Sequence, residues 1–182
     1  MAELHVVGSI LGASDFSEAG LYCKFSFESS LESDLPFQTM AGFTSGTTHL
    51  DAAGGSGVDA VWDHPIDVHF AVPTLVGWPR LRVEVWNKDS NDCNVLCGYG
   101  FANVPLKGVH DIDIVTWRPY GSFGERLSGW FLGARPHLVD SGIVAQTQPG
   151  ENRFGLKTVT TGVVYVHVEV LTYGLGANGV DV

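Results

Sequence analysis

The chain has 182 residues, ten Lys and Arg against twenty Asp and Glu, and a net charge of −10. So acidic a balance excludes a counterion-displacing nucleic-acid surface and docking on anionic lipid by charge alone. Its 45% of hydrophobic residues, with ten Phe, five Trp and five Tyr, exclude whole-chain disorder and supply a core that needs no staples.

At roughly 150 residues per domain, a single domain over 1–182 is expected. The 23 Gly and eight Pro interrupt the chain at short intervals, which suits short strands better than long helices. Residues 4–11 are a weak first strand candidate. Residues 21–27 alternate, with Leu21, Cys23, Phe25 and Phe27 on one side and Tyr22, Lys24 and Ser26 on the other. Residues 44–60, with Gly54-Gly55-Ser56-Gly57 at the centre, read as a flexible loop between strands. Strand 66–72 sets Ile66, Val68 and Phe70 against Asp67 and His69. Strand 80–86 sets Leu81, Val83 and Val85 against Arg80, Arg82, Glu84 and Trp86. Weaker strand candidates follow at 95–104 and 110–116. At 122–131 the period changes: Phe123, Leu127 and Phe131 recur every four residues behind a Ser122/Glu125 capping box, with Gly133 and Pro136 beyond. One short amphipathic helix is expected there. Residues 163–171 return to period two with Val164, Val166, Val168 and Val170, and a tail follows residue 173. Strands with one apolar face each imply an all-β antiparallel sandwich, whose two sheets bury those faces against each other.

The charge is uneven: residues 1–77 hold ten acids and one base, whereas most Arg lies in the middle third. The three Cys, at 23, 93 and 97, are odd in number and form no C-x-x-C, so neither a disulfide framework nor a structural zinc site is expected. The start lacks a basic segment followed by an apolar one, and no run nears ~18 apolar residues, so an intracellular, soluble protein is expected.

Reactive constellations are sparse. There is no Gly-x-Ser-x-Gly elbow, and Gly98-x-Gly100 is an incomplete dinucleotide fingerprint inside a strand. Asp111 and Asp113 share a strand face rather than opposing each other across a cleft. His64 and His69 fall on opposite faces, and His167 has only Glu169 beside it, short of the three or four convergent ligands zinc requires. No enzyme activity and no cofactor are expected. The tryptophans carry more information. Trp62, Trp78 and Trp117 stand near Pro and a basic group (His64-Pro65, Pro79-Arg80, Arg118-Pro119), which suits either plugs at the sandwich ends or binding anchors. Trp86 points with Arg80, Arg82 and Glu84, away from the core, and is the better contact candidate. The candidate partner-binding set is Trp86, Arg80, Arg82, Asp67, His69, Trp78, Trp117 and Arg118. Strands 66–72 and 80–86 are expected to be antiparallel neighbours, so that Asp67 and His69 meet Arg80 and Arg82 on one outer face.

Three stretches carry a resemblance: Val61-Trp62-Asp63-His64-Pro65-Ile66-Asp67-Val68-His69-Phe70, then Gly77-Trp78-Pro79-Arg80-Leu81 leading to Val85-Trp86-Asn87-Lys88-Asp89-Ser90, then Thr116-Trp117-Arg118-Pro119-Tyr120-Gly121-Ser122. With Gly98-Tyr99-Gly100-Phe101 between them, the chain resembles the B9-domain family over nearly its whole length. The resemblance implies a C2-like β-sandwich. It also implies a scaffold role in the ciliary transition zone, with other B9-domain proteins and further transition-zone proteins as partners and the cilium base as location. Membrane contact through those partners stays open, and a calcium-independent lipid-binding C2-like module is the alternative. Against the C2 pattern of calcium-binding aspartates, Asp15, Asp89 and Asp92 are present, but Gly20 and the neutral Asn87 replace two others. Calcium affinity follows ligand charge, so no metal site is expected.

Overall fold

A computed structural model describes residues 2–29, 37–51, 60–89, 92–120 and 157–176. Nine strands occupy them: β1 (Ala2–Ser14), β2 (Leu21–Ser29), β3 (Gln38–Gly42), β4 (Ser45–Thr47), β5 (Ala60–Val72), β6 (Pro79–Lys88), β7 (Asn94–Asn103), β8 (Gly108–Pro119) and β9 (Thr158–Tyr173). Period-two patterning dictates them. In β2 the residues Leu21, Cys23, Phe25 and Phe27 are buried while their neighbours are partly or fully exposed. In β9 Val164, Val166, Val168 and Val170 are buried in the same way. Each alternating strand offers one apolar face, and only a second apolar face covers it.

The strands form a single antiparallel sheet in the order β3-β5-β1-β9-β8-β7-β6-β2-β4. That sheet is folded on itself. β8 and β7 share only the pair Tyr99 and Trp117, and there the sheet divides into a first layer of β3, β5, β1, β9 and β8 and a second of β7, β6, β2 and β4. The inner faces meet: the rings of Phe70 in β5 and Phe27 in β2 lie 5.7 Å apart. Trp62 in β5 donates its indole N–H to the Leu21 carbonyl of β2 at 3.2 Å. One core runs between the layers, from Leu4, Val6 and Ile10 through Val68, Phe70 and Val166 to Val83 and Val85. Each such fully buried aliphatic or aromatic side chain contributes about 1.5–3 kcal/mol.

On the far side, the two layers are joined by one segment. β3 pairs with β5, two residues intervene, and β4 pairs with β2. Gly42 makes the crossing possible. Its φ is +83°, and a Cβ there would lie 2.1 Å from the Asp67 carbonyl oxygen. Gly12 serves the central strand similarly at the β1 bulge, where a Cβ would lie 2.1 Å from the Ala60 carbonyl oxygen.

Two expectations need correction. Strands 66–72 and 80–86 are not neighbours: β5 lies between β3 and β1, and β6 lies between β2 and β7. Both strands have the same pattern of buried and exposed residues, so alternation could not tell a partner in the sheet from a partner across the core. The stretch 44–60 is not all loop, since it supplies β4, an isolated bridge from Asp51 to Leu21, and the first residue of β5. Backbone ladder bonds hold Ser45-Gly46-Thr47, with Gly46 against the Phe25 ring, and no apolar alternation announces them. Residues 52–59 and the helix expected at 122–131 lie outside the described residues. Of the tail after 173, Leu175 is buried.

Candidate interaction site

The predicted contact residues fall on two opposite outer faces. On the second layer, the register sets Arg82 opposite Ser26, Arg80 opposite Glu28, and Trp86 opposite Tyr22. Arg82 is clamped: its Nε lies 2.6 Å from Glu28 Oε1, and its Nη1 contacts Glu84. All three side chains are at least three-quarters buried. Glu84 also accepts the Trp86 indole N–H at 3.0 Å, and Lys24 Nζ sits 4.8 Å from the Trp86 ring centroid. Arg80 donates to Asn103 Oδ1 at 2.8 Å and lies over the Phe101 ring. The cations on this face are thus held by their neighbours. A shallow groove of about 290 Å³ runs beside them, lined by Lys24, Arg82, Glu84, Ser45 and Thr47.

Trp86 is half-buried rather than fully outward. It packs with Trp117 against Leu96 and Tyr99, a small apolar cluster separate from the main core. Tyr99 is 2% exposed, and its ring lies 5.8 Å from that of Trp117. Trp78 packs against the main core and donates to the Val104 carbonyl at 2.7 Å. Trp62 and Trp78 thus take the plugging role, while Trp86 and Trp117 rim a cluster on the outer face. Arg118 reaches Glu18 at 3.8 Å near the end of β8.

Asp67 and His69 lie on the outer face of the first layer. There the register aligns His5 with His69 and Leu171, Val7 with Asp67 and Glu169, and Asp111 with His167. Three imidazole–carboxylate pairs result: His5 with Asp67 at 2.8 Å, His69 with Glu3 at 3.2 Å, and His167 with Asp111 at 2.6 Å. His5 and His69 also stack, with centroids 5.3 Å apart. The sequence placed His69 and Asp67 on one face correctly, but the cluster they join was illegible. It needs four strands far apart in the chain.

The loop carboxylates are employed locally. Asp89 Oδ1 accepts the Cys93 backbone N–H at 2.9 Å, and Asp92 pairs with Lys88 at 2.8 Å. Among the described residues no group of three or more His, Cys, Asp or Glu is placed to hold a metal ion. Cys23 and Cys97 are buried and Cys93 exposed, and all three are free thiols. Burial pushes the Cys23 thiol far above its ordinary range, so it stays neutral. Burial also raises the Tyr22 phenol. One polar feature was missed from sequence: Thr116, fully buried, bonds Gly162 through both its N–H and its carbonyl, and Thr161 at 2.8 Å. Its place in an alternating strand gave no sign of this.

The architecture is that of an antiparallel β-sandwich. A solved structure of the C2A domain of a plant extended synaptotagmin 1 aligns over 95% of this chain and 96% of that one, with a TM-score of 0.47 and 10% identity. The family model described as "Ciliary basal body-associated, B9 protein" matches residues 4–171, and the chain belongs to that B9 family. It is 38% identical to B9 domain-containing protein 2 of Rattus norvegicus and of Homo sapiens, over the whole of this chain and 99% of each relative. To B9 domain-containing protein 1 of Xenopus laevis it is 30% identical, over 94% of this chain and 85% of the relative.

Proposed function

We propose that the chain is a non-catalytic scaffold subunit of a ciliary transition-zone complex of the Meckel-syndrome and tectonic-like kind. It supports cilium assembly and the membrane diffusion barrier by binding other B9-domain proteins. The observation that carries this reading is the end-to-end likeness to B9 domain-containing protein 2, inside a family described by its association with the ciliary basal body. The geometry is compatible with it. A folded-over sheet with long strands offers two broad outer faces, on which rigid aromatic groups anchor a partner and charged groups select it.

Edge-strand addition on the β3 or β4 side is a poor mode here, because a bulge interrupts β3 between Thr39 and Ala41 and β4 spans only Ser45–Thr47. The contact therefore falls on a face or on the β8 side. The test is to mix the purified chain with B9 domain-containing protein 1 and measure the complex mass by light scattering. A defined heteromer is expected. Two components that stay separate at micromolar concentration would overturn the scaffold reading, and calcium-independent co-sedimentation of the chain on anionic liposomes would put a lipid-binding module in its place.

A further inference from the structure

The outer face of the first layer is strongly one-signed. Its five strands carry six carboxylates, Glu3, Asp63, Asp67, Asp111, Asp113 and Glu169, against a single Lys or Arg, Arg118 at the end of β8. The side chains of Asp67 and Asp111 are 74% and 81% exposed, so their bonds to imidazoles leave most of each carboxylate in water. Between the acids stand exposed apolar residues: Val7, Val109, Val115 and Leu171. A one-signed surface of this kind attracts a partner segment of opposite charge.

A second feature adjoins it. β7 and β8 form a hairpin that splays after the single pair Tyr99 and Trp117. From Gly108 to Val115, β8 follows β9 alone, while β7 follows β6. Among the described residues, the backbone groups of β8 between Val109 and Asp113 that point away from β9 have no ladder partner. Among the described residues this is a free sheet edge, with Asp111 and Asp113 projecting beside it. An exposed edge is a template for another chain.

We propose that this edge and the acidic face form one docking surface, and that its occupant is an extended, Lys/Arg-rich segment of a partner protein. The segment adds a strand to β8 and lays its cations over Asp111, Asp113 and Glu169. Charge complementarity selects that occupant. Anionic lipid and nucleic acid are repelled by the carboxylates. A second copy of this chain carries a net charge of −10, and the Arg82 of its cationic face is already clamped by Glu28 and Glu84. The inference rests on the scaffold reading and adds which surface is used and by what chemistry.

The experiment measures binding of the full chain to purified B9 domain-containing protein 1 at low and high salt, for the wild type, Asp113→Lys, Glu169→Lys and the loop control Asp92→Lys. Each face reversal is expected to weaken binding at least tenfold and to flatten its salt dependence, while D92K stays within about twofold; a tenfold loss corresponds to about 1.4 kcal/mol. Hydrogen exchange is the second readout. Amides of 108–115 that exchange fast in the free chain become protected in the complex, and those of β2 do not change. If a heteromer forms and both face variants bind as the wild type does, the docking surface is wrong while the scaffold reading survives. If the wild type binds no B9 protein, both fall. If the chain instead pairs with itself and E169K abolishes that pairing, the occupant is a second copy and the proposal is overturned.

Discussion

The two outer faces of this sandwich share a core yet use charge in opposite ways. On the second layer, Arg82 is buried between Glu28 and Glu84, and Arg80 and Lys24 lie over aromatic rings. Those cations are partnered within the face. On the first layer, the carboxylates Asp67 and Asp111 are mostly in water, each with an imidazole beside it. The lesson is that a list of outward charges does not tell which are available to a partner. Burial and register decide it: a clamped ion pair resists removal because one partner left alone is a desolvated charge, whereas an exposed carboxylate is already solvated.

Phe70 is fully buried and its ring meets Phe27 across the core and Phe37 beside it. Phe70→Ala is expected to destabilise the chain by about 3–5 kcal/mol, lowering the urea midpoint and loosening both faces together. Normal stability of that variant would mean the layers are not held through this contact. Next in size is the asymmetry itself. Arg82→Ala strands two mostly buried carboxylates and is expected to cost about 1–3 kcal/mol. Asp67→Asn on the other face is expected to change stability by less than about 0.5 kcal/mol. Equal effects in denaturation curves would erase the distinction drawn between the faces.

Thiol chemistry sharpens the picture further. Native protein treated with iodoacetamide is expected to be modified at Cys93 and spared at Cys23 and Cys97 until it unfolds, as mass spectrometry of the peptides reads. The Cys23 thiol is raised above its ordinary value of 9.0 in the folded state. Unfolding above that pH releases a proton, so its contribution to stability is complete at lower pH and is lost as pH climbs past about 9. Stability that rose with pH across that range would contradict a buried neutral thiol. A modest effect is expected at the rim. Trp86→Ala removes a half-buried ring from the Leu96 and Tyr99 cluster, for about 1 kcal/mol or less of stability. Its effect on heteromer formation separates the aromatic rim from the acidic face as the contact.

Alternation within β2, β5, β6 and β9 was legible because each strand's side chains divide between core and solvent with period two, a property of local sequence alone. Full-length likeness to the family was legible for the same reason: it is a property of residue order. What sequence could not decide was which strands lie side by side. Asp67 and His69 were expected to meet Arg80 and Arg82, yet β5 and β6 lie in different layers and their outward residues point in opposite directions. Pairing in a sheet and stacking between sheets demand the same apolar face, so patterning is blind to the difference. Only the fold, with β7 and β8 parting after one pair and the segment from β3 to β4 joining the layers, determined which charges became clamps and which were left facing water.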